Sequence, residues 1–150
     1  MKGIRLINRV KILNILERID FFSEFNPGER NMIADTRSRF VAAEKGEYII
    51  EQGDTDCSFY ILLHGSASVT LEENGKQLAS LAPGDFFGEV TFLTKTPRTS
   101  NVIAKETCIL FRFDKVVMNR LPTMTREKIK DKIIAKLVFL LTEKNDSQKL

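Results

Sequence analysis

Apolar residues change their spacing along this chain, and each change marks an element. Over residues 4–19 they recur at helical intervals. Ile4, Leu6, Ile7, Val10 and Leu13 gather on one side, while Arg5, Arg9 and Lys11 fall elsewhere. That spacing predicts an amphipathic helix. "DFFSEFNPGER" interrupts it. Asn26 supplies an N-cap and Pro27 a first helical position, so a short second helix is expected over about 27–37.

From about residue 39 to 114 the period shortens. Brief apolar runs alternate with Gly46, Gly53, Gly65, Gly75 and Gly84, which lie seven to twelve residues apart. Strands and turns at that spacing predict an antiparallel barrel or jelly roll. Asn74-Gly75 reads as a type I′ hairpin turn. "CILFRFD" closes the strand region. Helical spacing returns after "LPTMT". Thr125 is read as the cap, and Ile129, Ile133, Leu137 and Leu140 or Leu141 form an apolar stripe. The last residues, "NDSQKL", are expected to fray. The predicted fold class is α+β: an antiparallel β-roll (jelly roll, cupin-like) flanked by N-terminal and C-terminal helices. It is read as one domain over 1–150, with helices in 1–38, the roll in 39–114 and hinge or lid helices in 115–145.

Composition narrows the class. The chain has 150 residues, enough for one domain with a proper core and short for two. Apolar residues make up 43% and charged residues 29%, which is neither a disordered nor a membrane composition. No run approaches the roughly 18 apolar residues that a membrane span needs. "MKGIRLINRV" has scattered charges and no apolar h-region, so it is not a signal peptide. Cys57 and Cys108 are far apart, with no CxxC, and read as free thiols of a cytoplasmic protein.

Charge is uneven. Residues 1–18 carry five basic and one acidic side chain, and residues 120–150 carry eight and four. The stretch between them carries ten and fifteen. The basic flanks are interleaved with apolar residues, so they read as solvated helix faces. No direct nucleic acid partner is expected. The one histidine, His64, precedes Gly65 and reads as a turn residue at a strand end. A single histidine makes neither a metal cluster nor a Ser-His-Asp set, so no metal, no cofactor and no enzyme activity are expected. The eleven Phe residues are spread along the chain and read mostly as core.

The chemistry concentrates in "FGEVTFLTKTPRTS", residues 87–100. Glu89 and Arg98 stand at two ends of a loop in which Lys95 is the only other charge. Gly88 permits close backbone approach. A short helical turn from Glu89 through Leu93 would leave the amides of residues 88–91 unpaired, and such a turn receives anions. Arg98 offers a guanidinium with parallel N–H groups suited to a phosphate, and Thr99 adds a hydroxyl and an amide. Glu89 fits an anion site only if the ligand also carries hydroxyl donors, as a ribose does. The plainer alternative is a surface turn closed by a Glu89–Arg98 ion pair.

This stretch resembles the phosphate-binding cassette of cyclic nucleotide-binding domains. In that cassette Phe-Gly-Glu, a run of small and apolar residues and then Arg with small neighbours hold a cyclic nucleotide. "KGEYIIEQGD", "FYILLHGSASV" and "LAPGDFFGE" are similar to the family's successive strand signatures. "ILERIDFFSEFNPGERNMIA" is similar to its helical lead-in, and "ETCILFRFDKVVMNRL" to its last strand and following helix. The resemblance covers about residues 12–140.

It implies a ligand-binding set of Phe87, Gly88, Glu89, Val90, Thr91, Arg98, Thr99 and Ser100. Glu89 would take the ribose 2′-OH and Arg98 the exocyclic phosphate oxygens. The amides around Gly88–Thr91 and at Thr99 would complete the phosphate nest. Phe87 would wall the pocket and Val69 face the base. Thr91 and Ser100 depart from the commoner Ala, which implies altered affinity rather than a lost site. Thr99 permits cGMP through a guanine 2-amino contact without demanding it, and the reading favours cAMP.

The implied function is a non-catalytic cyclic nucleotide sensor, its C-terminal stripe serving as packing and as a mobile lid. No kinase signature, spanning segment or following helix-turn-helix is visible. The effector protein is therefore a separate chain, or the sequence is part of a longer protein. A ligand-free interaction scaffold of the same fold, and the sensing part of a transcription regulator or channel, are the alternatives. The apolar faces of the terminal helices also leave a homodimer open.

Overall fold

The computed structural model describes residues 1–3, 8–36, 39–71 and 74–148. A two-residue strand β1 (Lys2–Gly3) precedes α1 (Arg9–Arg18), a 3-10 turn (Asp20–Phe22) and α2 (Pro27–Asp35). The roll follows as β2 (Phe40–Ala43), β3 (Tyr48–Ile50), β4 (Phe59–His64), β5 (Ala67–Thr70), β6 (Gln77–Leu81) and β7 (Phe86–Phe87). Helix α3 (Glu89–Thr94) interrupts it before β8 (Asn101–Ala104) and β9 (Cys108–Phe113). Helices α4 (Lys115–Arg120) and α5 (Thr123–Gln148) end the chain. One antiparallel sheet runs β1-β2-β9-β4-β7 and the other β3-β8-β5-β6. This is the expected β-roll with helices at both ends, and its strands fall inside the expected 39–114 apart from β1.

Strand β4 shows why the layers stack. Side chains alternate along a strand, and here both faces are apolar. Phe59, Ile61 and Leu63 face the helices, while Tyr60 and Leu62 face the second sheet. Strand β9 does the same, with Phe111 and Phe113 on the helical side and Cys108 and Leu110 between the sheets. The helix-facing layer is largely aromatic. Phe59 and Phe113 stack at 4.8 Å, and Phe111 meets Phe113 edge-on at 4.5 Å. Ile12, Leu16, Ile33, Ile129 and Ile133 close over them.

Several expectations need correction. Val10 is 67% exposed, and α1 buries Ile12 and Leu16 instead. The stripe through Val10 takes its phase from Ile4, Leu6 and Ile7, which lie outside the described residues; Asn8 caps the helix by accepting from the Lys11 amide. The N-terminal region is not all helix, because Lys2 and Gly3 pair with Ala42 and Val41. The Asn74-Gly75 turn is not type I′. Gly75 has a φ of 62°, but Lys95 is the one described non-glycine residue with positive φ. The Gly75 amide instead reaches the Leu71 carbonyl at 2.9 Å. Thr125 lies inside α5 rather than capping it. Helix α5 continues through Gln148, so residues 145–148 are helical where fraying is expected, and Lys149 and Leu150 lie outside the described residues. Phe139 is an exposed exception among the phenylalanines.

Helix α2 starts with the expected Asn26 cap and gains a reciprocal capping box with Glu29. Glu29 is buried and also reaches α5, where the Thr125 hydroxyl donates to Oε2 at 2.6 Å and Lys128 pairs with Oε1. Burial pushes this carboxyl up. The hydrogen bonds from Lys128, Thr125 and the Asn26 amide outweigh burial and hold it below its ordinary value. Glu29 therefore stabilises the fold fully above its unfolded-state pKa, and the contribution is lost as pH falls through the lower folded-state value. Stability measured by urea unfolding should decline from about pH 6 to about pH 3, and Glu29→Gln should flatten part of that decline. Parallel slopes for the two proteins would remove Glu29 as the link between α2 and α5.

Candidate functional site

The cassette stretch builds a concave site between β7 and β8. Gly88 caps α3 with a φ of 85°. A side chain there would also collide. An added Cβ would lie 2.8 Å from Arg98 Nη1, 3.1 Å from Ile50 Cδ1 and 3.2 Å from the Ser58 carbonyl oxygen. Both the backbone angle and the space demand glycine. Lys95 ends α3 in the left-handed region, its amide donating to the Thr91 carbonyl at 2.8 Å. The loop then returns to β8 through Arg98, whose amide and carbonyl bond Asp54 and Gly53.

Arg98 is 5% exposed. Its Nη1 donates to the Gly88 carbonyl at 2.9 Å and its Nη2 to the Ser58 carbonyl. Among the described residues its carboxylate partner is Asp56, at 3.8 Å and far more exposed. Burial pushes the guanidinium below its ordinary value, and Asp56 draws it part of the way back. A buried cation whose carboxylate partner stands off at 3.8 Å and is partly exposed keeps an uncompensated desolvation cost, which a closer anion would relieve.

Asp56 is itself shared. It accepts from the Ser58 amide and hydroxyl at 3.2 and 3.1 Å, and Arg112 Nη2 lies 3.7 Å away. The Tyr60 hydroxyl reaches it at 3.5 Å; burial, then the Asp56 charge, pushes that phenol up to about 12.

Glu89 is 6% exposed. It pairs with Lys136 of α5 at 2.9 Å, so the Glu89–Arg98 ion pair considered from the sequence does not form. Phe87, Gly88, Glu89, Val90, Thr91, Arg98, Thr99 and Ser100 all line one cavity of about 310 Å³. That volume lies at the low end of the roughly 300–1,000 Å³ typical of small-molecule sites. Glu89, Thr91 and Arg98 are buried, whereas Val90 and Thr99 are exposed at its rim. Val69 joins Ile50, Ala79, Leu81 and Val102 in an apolar wall. The cavity thus has a cationic end, a carboxylate and an apolar side, which together suit an amphipathic anion bearing hydroxyls.

Lys136, Leu140, Asp56 and Ser58 escaped sequence reasoning. Leu140 lay in the predicted stripe, but nothing marked it as lining the cavity. Lys136 sits three residues after Ile133 and four before Leu140, which puts it on the same helix face. Eight basic residues in 120–150 hid it. His64 ends β4, exposed. No described helix is long and apolar enough to cross a membrane.

Comparison with known proteins agrees with the geometry. The profile of one family, the Cyclic nucleotide-binding domain, matches residues 40–123. The chain is 36% identical over 109 residues to the cAMP-dependent protein kinase regulatory subunit of Schizosaccharomyces pombe. That match covers 72% of this chain and 26% of the relative, so the chain spans about a quarter of its length. A solved structure described as "Sp-2Cl-cAMPS bound to PKAR CBD2" superposes with a TM-score of 0.72 at 26% identity, covering 95% of this chain and 92% of the other. The regulatory subunit of a cAMP-independent protein kinase A from Trypanosoma brucei shares the fold, with a TM-score of 0.68 at 24% identity over 95% of this chain and 50% of the other.

Gly88→Ala should destabilise the protein by about 1–3 kcal/mol, from strain at positive φ and displacement of Arg98. Chemical denaturation measures it. A change under about 0.5 kcal/mol would show that the loop relaxes freely around the added methyl.

Proposed function

We propose a sensor function from a plain premise: this chain belongs to the cyclic nucleotide-binding domain family. Its cavity takes a cyclic nucleotide, with cAMP favoured and cGMP permitted by Thr99. The observation that carries this reading is the buried, under-compensated guanidinium of Arg98 facing the same cavity as the buried carboxylate of Glu89. Arg98 takes the exocyclic phosphate oxygens through charge-assisted hydrogen bonds. The free amides at the start of α3 and at Thr99 share the phosphate. Glu89 accepts from the ribose 2′-OH, and Val69, with the apolar wall, covers the base. Residues 1–150 act as one such module.

The protein is non-catalytic in this reading, and its output is conformational. Ligand adds a counter-charge at Arg98 and a hydroxyl donor at Glu89, the residue paired with Lys136, so it favours the arrangement in which cassette and α5 stay together. Taking a two-state lid from mostly open to mostly closed needs about 5.5 kcal/mol of differential binding. Relatives named as regulatory subunits of a cAMP-dependent protein kinase support a protein kinase as the class of effector. A cytoplasmic location fits two free cysteines, Cys57 and Cys108.

The fold by itself does not select the ligand, since the Trypanosoma brucei relative that shares it is described as cAMP-independent. Calorimetric titration of folded, nucleotide-free protein with cAMP and cGMP decides the matter. Wild type should bind at least one of them. Arg98→Ala should weaken that binding by roughly 2–5 kcal/mol, about 30-fold or more, with Arg98→Lys intermediate and circular dichroism confirming the fold. No heat with either nucleotide would leave the interaction scaffold as the function.

A further inference from the structure

The carboxylate assigned to the ribose does not stand alone. Lys136, in the middle of α5, pairs with Glu89 at 2.9 Å. The same ammonium donates to the Phe86 carbonyl and sits 4.5 Å from the centre of the Phe86 ring. The Glu89 side chain is 7% exposed, and among the described residues Lys136 is the cation paired with it. Arg98 is turned instead to the carbonyls of Gly88 and Ser58. A carboxylate this deeply buried is strongly unfavourable once its cation is removed.

We infer that Lys136 is a positioning residue for sugar recognition: from α5 it fixes the Glu89 carboxylate that accepts the ligand's 2′-hydroxyl, so ribose selectivity depends on α5 being docked. The inference rests on the proposed role of Glu89. Pairing and ribose acceptance are not rivals, because a carboxylate has lone pairs for several donors. The placement along α5 is specific. Ile133 is sunk in the core and Leu140 lines the cavity, with Lys136 between them on that face. A lysine suits this post, since its flexible stem lets one ammonium serve both the carboxylate and the carbonyl. Without that charge, Glu89 turns toward water, and the fixed acceptor is gone.

The test compares cAMP with 2′-deoxy-cAMP in wild type, Lys136→Met and Lys136→Arg by calorimetric titration. The ratio of the two affinities isolates the 2′-hydroxyl contact. Wild type should favour cAMP by about 10-fold or more, as a hydrogen bond to a charged group gives. Lys136→Met should bring the ratio close to unity, and Lys136→Arg should restore most of it. Lys136→Gln, which keeps a polar head without charge, replaces Lys136→Met if that variant does not fold. An equal loss for both nucleotides, or an unchanged ratio, in a variant that still binds cAMP overturns the inference and leaves the proposed function standing. Wild type that binds neither nucleotide overturns both.

Discussion

The structure around the cavity depends on the burial of one guanidinium. Arg98 is inside the protein with two backbone carbonyls and a distant carboxylate for company. Carbonyl dipoles take up one N–H of each terminal nitrogen but do not cancel its charge. Everything nearby is arranged to tolerate that. Gly88 has no side chain, so its carbonyl can come within hydrogen-bonding distance. The turn at Lys95 takes a positive φ, and the loop beyond it brings Arg98 back toward α3. Asp56 is held by the Ser58 amide and hydroxyl, which keeps a counter-charge in reach without letting it close on the cation. A tight ion pair in that place would have made the site stable and inert. The looser arrangement leaves an electrostatic deficit pointed at a cavity.

The fold around this site is the less specific part. Its two apolar layers arise because β4 and β9 present apolar residues on both faces, and any chain with that alternation must cover both. Helices cover one side with aromatic packing, and the second sheet covers the other. The cavity opens at the edge of the sheet-to-sheet layer, where β7 is only two residues long and α3 interrupts the strand order. The first amides of α3 follow directly on that edge and, as at any helix start, have no partner within the helix.

Legibility followed sequence distance. The cassette was readable because its parts lie within 14 residues, and local rules govern glycine, helix starts and returning loops. The Asn26 cap and the Pro27 start of α2 are equally local. The pairs that went unseen join distant segments: Glu89 to Lys136, Glu29 to Thr125 and Lys128, Arg98 to Ser58. No spacing announces such partners, since either end satisfies a solvated helix face equally well. Val10 failed for a related reason. Its helical phase was set by residues 4–7, whereas the face that packs is set by Ile12 and Leu16 meeting a core made by remote phenylalanines. The Asn74-Gly75 turn failed locally, because the flanking strands close through Leu71 and Lys76 rather than at the two-residue turn.

Helix α5 gathers these distant pairs into one mechanical element. Its first turns are anchored twice, by Thr125 and Lys128 on Glu29 and by Ile129 and Ile133 in the aromatic core. Among the described residues, the charged contact from its middle to the cassette is that of Lys136. Just beyond it Leu137 still packs against the core, and Val138, Phe139, Leu140 and Leu141 are exposed. Apolar burial fixes a helix without regard to ligand, whereas a single ion pair at the cavity mouth is sensitive to what occupies the cavity. The proximal part of α5 therefore belongs to the fold, while Lys136 and Leu140 are its contacts with the cavity. A ligand that engages Glu89 acts on the helix near the end of its core packing, which stops at Leu137.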